Sequence, residues 1–232
     1  LGNTSTTLSG VASAGAPIAG AAISVLSSNG LYLEATATTN SNGAFQLSID
    51  TQTYTPPYLL KITKSSGQST GNYYAYASAN ASSGILVTPI SNATLGLAAN
   101  ENLDKIFASG SIPSALTTSN IDSALDKIYA ASSNVFNALS VTDKSKLLVN
   151  ANYSANGSGQ DASLDAVSFS SGSATDGSVV VGSKLTGNSV KIDNSTALSS
   201  ITSIPFNSNG TGLLVAINSS INQVNNCIKD AI

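Results

Sequence analysis

Short runs of β-prone residues alternate with turn signals through the first 88 residues of the chain. Asn29-Gly30 and Asn42-Gly43 each separate two alternating runs, and such a pair favours a hairpin because both residues tolerate positive φ. The spacing of these turns predicts a seven-stranded antiparallel β-sandwich. The expected strands are Leu8–Ala14, Ile18–Leu26, Leu31–Thr39, Ala44–Ile49, Tyr58–Thr63, Asn72–Ala79 and Ile85–Thr88.

The hydrophobic period becomes helical after this segment. Apolar residues recur at helical spacing from Pro89 to Ile106 and from Ser119 to Leu139. Ser119 or Asn120 is the expected N-cap of the second helix, because short polar side chains cap free backbone N–H groups. A shorter helix is expected from Thr142 to Val149. Residues 89–150 are therefore predicted to be a helical segment.

The last third of the chain returns to short strands and ends in a helical pattern. Strands are expected at Ala166–Ser170, Ser178–Gly182 and Ser189–Asp193, which form a small β-meander over residues 165–193. A C-terminal helix is expected over residues 212–231. We therefore predict a mixed α+β chain with two domains, a β-sandwich over 1–88 and an α+β domain over 89–232.

Three motifs in the first 90 or so residues resemble a known family. Leu8-Ser9-Gly10-Val11, Gly15-Ala16-Pro17-Ile18-Ala19-Gly20-Ala21 and Thr39-Asn40-Ser41-Asn42-Gly43-Ala44-Phe45 resemble the carboxypeptidase regulatory-like domain, a transthyretin-like sandwich. The resemblance implies an accessory or structural module. The order of sandwich, TPI-x-x-A, helices and NGSG-x-x-x-x-LDAVS is also similar to long secreted or lipid-anchored bacterial surface proteins.

The composition removes the residues that carry most acid–base, metal and phosphate chemistry. The chain has no His, Arg, Trp or Met and one Cys, and its net charge is −3. Without His a conventional hydrolytic triad cannot be assembled, and without a basic face nucleic acid is not an expected partner. No cofactor and no metal are expected, and no apolar run is long enough to span a bilayer.

The same composition favours a place outside the cell. Charged residues are only 9% of the chain, and Ser, Thr and Asn take their place, while the oxidisable Met and Cys are nearly absent. We therefore expect an extracellular or cell-surface protein.

Five tyrosines form the candidate contact surface. A tyrosine offers an apolar ring with a polar tip, so the cluster could stack on sugars or on a protein partner. Alternation directs Tyr74 and Tyr76 to one face of their strand and Tyr73 to the other. Ordinary packing inside the sandwich is the alternative. The five residues are Tyr54, Tyr58, Tyr73, Tyr74 and Tyr76.

Three further features have a functional and a structural interpretation. The pairs Asp122/Asp126 and Asp161/Asp165 could hold a cation or act as acid and base, but surface charge is the preferred interpretation. The Asn156-Gly157-Ser158-Gly159 loop, echoed at residues 209–212, is interpreted as a turn before a helix rather than a phosphate site. Cys227 is either a small buried apolar residue or a covalent link to a partner or to a further part of the chain.

Our leading hypothesis is a non-enzymatic extracellular structural protein that self-associates through β-edges and neutral surfaces, as a fibre or surface-layer subunit does. The low net charge does little to oppose lateral packing, and an unpaired edge accepts a strand from a neighbour. The alternatives are a binding module for a polysaccharide or cell surface, and an accessory region of a larger secreted protein.

Overall fold

The structure is a computed structural model that describes residues 4–64, 71–79, 82–171 and 176–206. Over these residues the chain is a mixed α/β fold with ten strands, four α-helices and two short 3-10 helices, Lys144–Leu147 and Leu198–Ser200. The strands are β1 (Ser5–Ala12), β2 (Ala22–Ser27), β3 (Tyr32–Thr38), β4 (Ala44–Asp50), β5 (Tyr58–Thr63), β6 (Asn72–Ala77), β7 (Ile85–Val87), β8 (Val167–Ser171), β9 (Val179–Ser183) and β10 (Ser189–Ile192). The helices are α1 (Pro89–Ala99), α2 (Leu103–Ser109), α3 (Thr118–Ala138) and α4 (Gly159–Ala166).

The first seven strands lie close to their predicted positions and form two sheets, ordered β4-β1-β7 and β3-β2-β5-β6. Their pairing departs from the fully antiparallel prediction at one place, because β7 runs parallel to β1, with Gly10 opposite Ile85. Parallel neighbours need a long crossover, and strands β2 to β6 supply it. A Cβ at Gly10 would lie 1.8 Å from Ile85 O, so this close pairing requires a glycine.

The sheet that contains β5 is buried on both faces. Tyr58, Leu60 and Ile62 join a hydrophobic cluster to which both sheets contribute, whereas Leu59 joins a second cluster with the helices. Two-sided burial explains why β5 is an almost continuous apolar run instead of an alternating one. The second cluster also holds Leu26, so residues on both sides of the predicted boundary at residue 88 share one core.

Helix α1 is buried around most of its circumference. It contacts β6, α3 and β8, and nine of its eleven residues are buried. Thr88 and Ser91 form a reciprocal capping box at its start, and Pro89 occupies the first turn. The helical pattern predicted from Pro89 to Ile106 is divided at Asn100, whose left-handed backbone, with φ 53°, ends α1 before α2 begins.

Two helical predictions are corrected by the structure. Helix α3 is capped by Thr117, whose side chain accepts from Asn120 N, and not by Ser119 or Asn120. The predicted helix over Thr142–Val149 is only a single 3-10 turn, because the following backbone pairs with β7, where Leu86 N donates to Leu148 O at 2.9 Å. A tertiary hydrogen bond thus replaces the local helical one.

The predicted meander is present as an antiparallel sheet in the order β10-β9-β8. The predicted turn residues Asp176-Gly177 lie just before β9, and Thr186-Gly187 lie between β9 and β10. The sheet packs against α1 and α3. The predicted helix over residues 212–231 lies outside the described residues. Within the described part of the chain, no helix is long and apolar enough to cross a membrane.

Candidate functional site

Strand β6 directs its tyrosines to opposite faces, as the alternation predicts. Tyr74 and Tyr76 face the helices, whereas Tyr73 packs against the cluster between the two sheets. Tyr54 packs against that same cluster from the loop after β4, and its carbonyl accepts from Tyr58 Oη at 2.9 Å. The five residues therefore divide between two cores and do not form one face.

For Tyr58 and Tyr74 the expected contact surface must be corrected. Their exposed fractions are 1% and 2%, so neither ring is available to stack on a ligand. Ordinary packing, the alternative left open by the sequence, accounts for both. The cause is the layer of helices on the far side of the sheet, which covers a face that a free-standing sandwich would leave to solvent.

Tyr76 is the member of the set that reaches a surface groove. The groove has a volume of about 200 Å³ and lies between β6, α1 and the first turns of α3. Its walls are mostly apolar and include Leu86, Leu125 and the partly exposed Val149. The groove therefore offers apolar contact with a tyrosine at its rim.

Three of the four edge strands in the first two sheets carry a feature that limits pairing with another chain. The Tyr74 carbonyl on β6 accepts from Ser91 Oγ at 2.7 Å, and β7 is bonded to Leu148. Strand β3 holds a bulge, because Ile23 pairs with Ala37 while Val25 pairs with Leu33. Bulges, short strands and covered edges all oppose edge-to-edge association.

The centre of strand β4 lacks these features. The seven residues of β4 are paired to β1 in unbroken register, from Val11↔Ala44 to Ser5↔Asp50, and from Phe45 onward they alternate between buried and exposed. The exposed positions before Asp50 are the uncharged Gln46 and Ser48. Among the described strands β4 pairs with β1 alone, and alternate N–H and C=O groups point away from β1. The two ends of this edge are bonded within the chain, because Asn40 pairs with both backbone groups of Ala44 and Tyr54 N donates to Asp50 O at 2.9 Å. The open part of the edge is therefore its centre, at Gln46 and Ser48.

A buried carboxylate joins the first sheet to the later part of the chain. Asp161 on α4 is 1% exposed and accepts three hydrogen bonds. The donors are Ser13 Oγ at 2.8 Å and Tyr153 Oη at 2.6 Å, both to Oδ1, and Gly157 N at 2.7 Å to Oδ2. The preferred sequence interpretation of Asp161 as surface charge is therefore wrong.

The same cluster explains two glycine-containing motifs. A Cβ at Gly15 would lie 2.3 Å from Asp165 Oδ1, so the turn after β1 packs closely on α4 only because residue 15 is a glycine. Gly157 presents its backbone N–H to Asp161 from a turn with φ 72°. The Asn156–Gly159 loop thus precedes a helix, as predicted, and binds a carboxylate of its own chain.

The cluster around Asp161 holds a tyrosine in its neutral form. Burial, and then the negative charge of Asp161, raise the pKa of Tyr153 well above its usual range. The neutral phenol donates to the Asp161 carboxylate, which also accepts from Ser13, so the cluster links α4 to the end of β1. Among the described residues, no group of three Asp, Glu, Cys or His side chains is arranged to hold a metal ion.

Comparisons with known proteins found no match. No family model, no curated protein and no solved structure is significantly similar to this chain. The carboxypeptidase regulatory-like resemblance therefore stays a prediction based on its motifs.

The remaining sequence candidates are not brought together. Asp126 forms an ion pair with Lys144, and Asp122 lies at the rim of the Tyr76 groove. Cys227 and the second Asn-Gly-Thr-Gly loop lie outside the described residues. Sequence reasoning missed the role of Asp161. The one signal for it was the Asn-Gly-Ser-Gly motif that leads into α4, which sets a backbone N–H beside the first helical turn.

Proposed function

We propose that this protein is a non-enzymatic extracellular structural protein that self-associates through the open edge of β4. The observation that carries the proposal is the contrast between β4 and the other three edges of the two sheets. β4 is regular, uncharged up to Asp50 and paired on one side among the described strands, with its edge open at Gln46 and Ser48, whereas β3, β6 and β7 are bulged or covered.

The simplest contact is an antiparallel pair of β4 strands related by a twofold axis. Such a contact uses the same residues on both copies and extends the β4-β1-β7 sheet into one of six strands. Backbone hydrogen bonds then provide most of the affinity, as in other strand additions. The net charge of −3 leaves little electrostatic repulsion between copies.

A seven-stranded sandwich of the carboxypeptidase regulatory-like type is part of this proposal. It is supported by seven strands close to the expected positions and by a buried hydrophobic cluster to which both sheets contribute residues. In that architecture the sandwich carries the β4 edge, and the hydrogen bond from Ser13 to Asp161 joins the sandwich to helix α4. The low charge and hydroxyl-rich composition support an extracellular or cell-surface location.

The test is the oligomeric state of the purified chain across a wide range of concentrations, measured by light scattering after size exclusion. We expect a species of at least twice the 23.2 kDa chain mass at high concentration. The double variant Gln46→Lys/Ser48→Lys should be monomeric, because an antiparallel pair would bring these lysines opposite each other.

The matched control is Ser119→Lys/Ser123→Lys, which adds the same charge to exposed positions of α3 and should associate like the natural chain. At a concentration low enough for the natural chain to be monomeric, all variants should keep its melting temperature, since none of the four side chains is buried. A natural chain that stays monomeric at the highest concentration would contradict the proposal. So would association that persists in the β4 variant.

A further inference from the structure

A polar cavity lies where the start of β6, α1, the first turn of α2 and the start of β9 meet. Its volume is about 210 Å³, below the roughly 300–1,000 Å³ of pockets for drug-sized ligands. An occupant must therefore be one small unit. The polar side chains of the lining are Asn72, Tyr74, Asn92, Glu101, Asn102 and Asp104.

The Asp104 carboxylate is held in a fixed orientation. Its Oδ1 accepts from Asn72 Nδ2 and from Tyr74 Oη, both at 2.7 Å. Asp104 also lies in the first turn of α2, where the helix dipole favours a negative charge. Burial, together with the hydrogen bond to Asp104, raises the pKa of Tyr74, so the phenol remains a donor at neutral pH.

The cavity has more acceptors than the protein satisfies. Asn92 Oδ1 is buried and has no hydrogen-bond partner in the part of the chain that the structure describes. Glu101, nearly half exposed, makes a loose ion pair to Lys105, with 3.8 Å between Oε1 and Nζ. A buried acceptor without a partner is destabilising, so this arrangement favours a ligand that donates hydrogen bonds.

Hydroxyl groups fit this lining better than a cation does. Three of the six polar residues are asparagines, and each amide presents both a hydrogen-bond acceptor and a donor. A metal ion or an ammonium group can interact with the acceptor but offers nothing to the donor. A hydroxyl donates to carboxylates and also accepts from amides. Ala93, Leu103 and Val179 add apolar patches that suit the C–H faces of a sugar ring.

We propose that this cavity binds a single sugar unit of a polysaccharide, with Asn92, Glu101 and Asp104 as the main acceptors. The site is independent of the β4 edge. It also differs from the tyrosine surface expected from the sequence, because Tyr74 acts here through its hydroxyl and not through a stacked ring.

The experiment is a titration of the ¹⁵N-labelled chain with methyl glycosides of glucose, galactose, mannose and N-acetylglucosamine, followed by NMR. We expect at least one of them to bind with a Kd on the order of 1 mM, the range for a ligand of this size. The shifted resonances should be the side-chain amide of Asn92 and the backbone amides of residues 101–104. Asn92→Ala should weaken binding about tenfold or more.

The stability of Asn92→Ala separates binding from folding. Because the substitution removes an unpartnered buried oxygen and places alanine in a helix, its melting temperature should not fall. The matched control Asp122→Asn removes an exposed carboxylate of α3 outside the cavity and should bind as the natural chain does. No shift with any of the four glycosides would overturn the proposal. Calcium chloride and lysine methyl ester test for binding of a metal ion or an ammonium group. If either shifts the cavity resonances and the glycosides do not, the proposal is overturned too.

Discussion

Replacing Asp161 with alanine should strongly destabilise the protein. The substitution removes the acceptor of three buried hydrogen bonds. Ser13 Oγ also lies 3.2 Å from Ala16 O and can donate to that carbonyl instead. Tyr153 Oη and Gly157 N, however, lose the Asp161 carboxylate to which they donate. Leaving a buried donor unsatisfied costs about 1–3 kcal/mol, so two of them cost about 4 kcal/mol.

That magnitude is a large share of the roughly 5–15 kcal/mol by which domains are stable. For a chain of this length each kcal/mol lowers Tm by about 2–4 °C, so Asp161→Ala should lower Tm by about 8–16 °C. The assay is thermal unfolding followed by circular dichroism. Tyr153→Phe, which leaves Asp161 with its other two donors, should lower Tm by only about 3–6 °C.

The double variant tests whether these side chains act together. Because Tyr153 and Asp161 share one hydrogen bond of 2.6 Å, their effects should be smaller in combination than the sum of the two single effects, by about 1 kcal/mol or more. Additive effects, or a fall in Tm below about 3 °C for Asp161→Ala, would refute the reasoning. Asp122→Asn, at an exposed aspartate, is the control and should leave Tm nearly unchanged.

The structure supports three other predictions. Burial raises the pKa of both Tyr74 and Tyr153, so these groups contribute stability that is present below about pH 10 and is lost as the unfolded tyrosines ionise above it. The denaturant concentration at the unfolding midpoint should therefore fall at alkaline pH, and replacing both tyrosines with Phe should make that fall smaller. Thr88→Ala removes the capping box of α1 and should cost about 1–2 kcal/mol in urea unfolding, whereas Thr88→Ser should restore most of it. Gly10→Ala places a Cβ 1.8 Å from Ile85 O and should lower Tm by several degrees through separation of β7 from β1; an unchanged Tm would contradict the close pairing.

Sequence patterns located the elements of the first sheets because their signals are local. Strand β5 occupies the predicted Tyr58–Thr63, and Asn42-Gly43 precedes β4 as expected of a turn. The same patterns misplaced the backbone after α3, because Leu148 bonds to β7 and Asn150 bonds to Gly84 just before it, partners more than sixty residues earlier in the chain. Local propensity does not contain that information.

The candidate site shows the same division. Alternation correctly assigned Tyr74 and Tyr76 to one face of β6, yet it did not indicate that a helical layer buries Tyr74. The open edge of β4 was also beyond sequence reasoning. Strand order decides which strand is an edge, and strand order depends on long-range pairing.

By itself the sequence determined the chemical character of this protein and its local segments. Without imidazole or guanidinium side chains, and with short β-prone runs followed by helical periods, it defined a mixed α/β chain with few means of acid–base catalysis. Only the tertiary structure decided that Asp161 is buried and joins the end of β1 to α4. It also decided that Asp104 lines a polar cavity and that β4 lies at the edge of its sheet. Each of these depends on contacts between residues far apart in the chain, and the free energy of such a contact depends on burial and partners that no local pattern encodes.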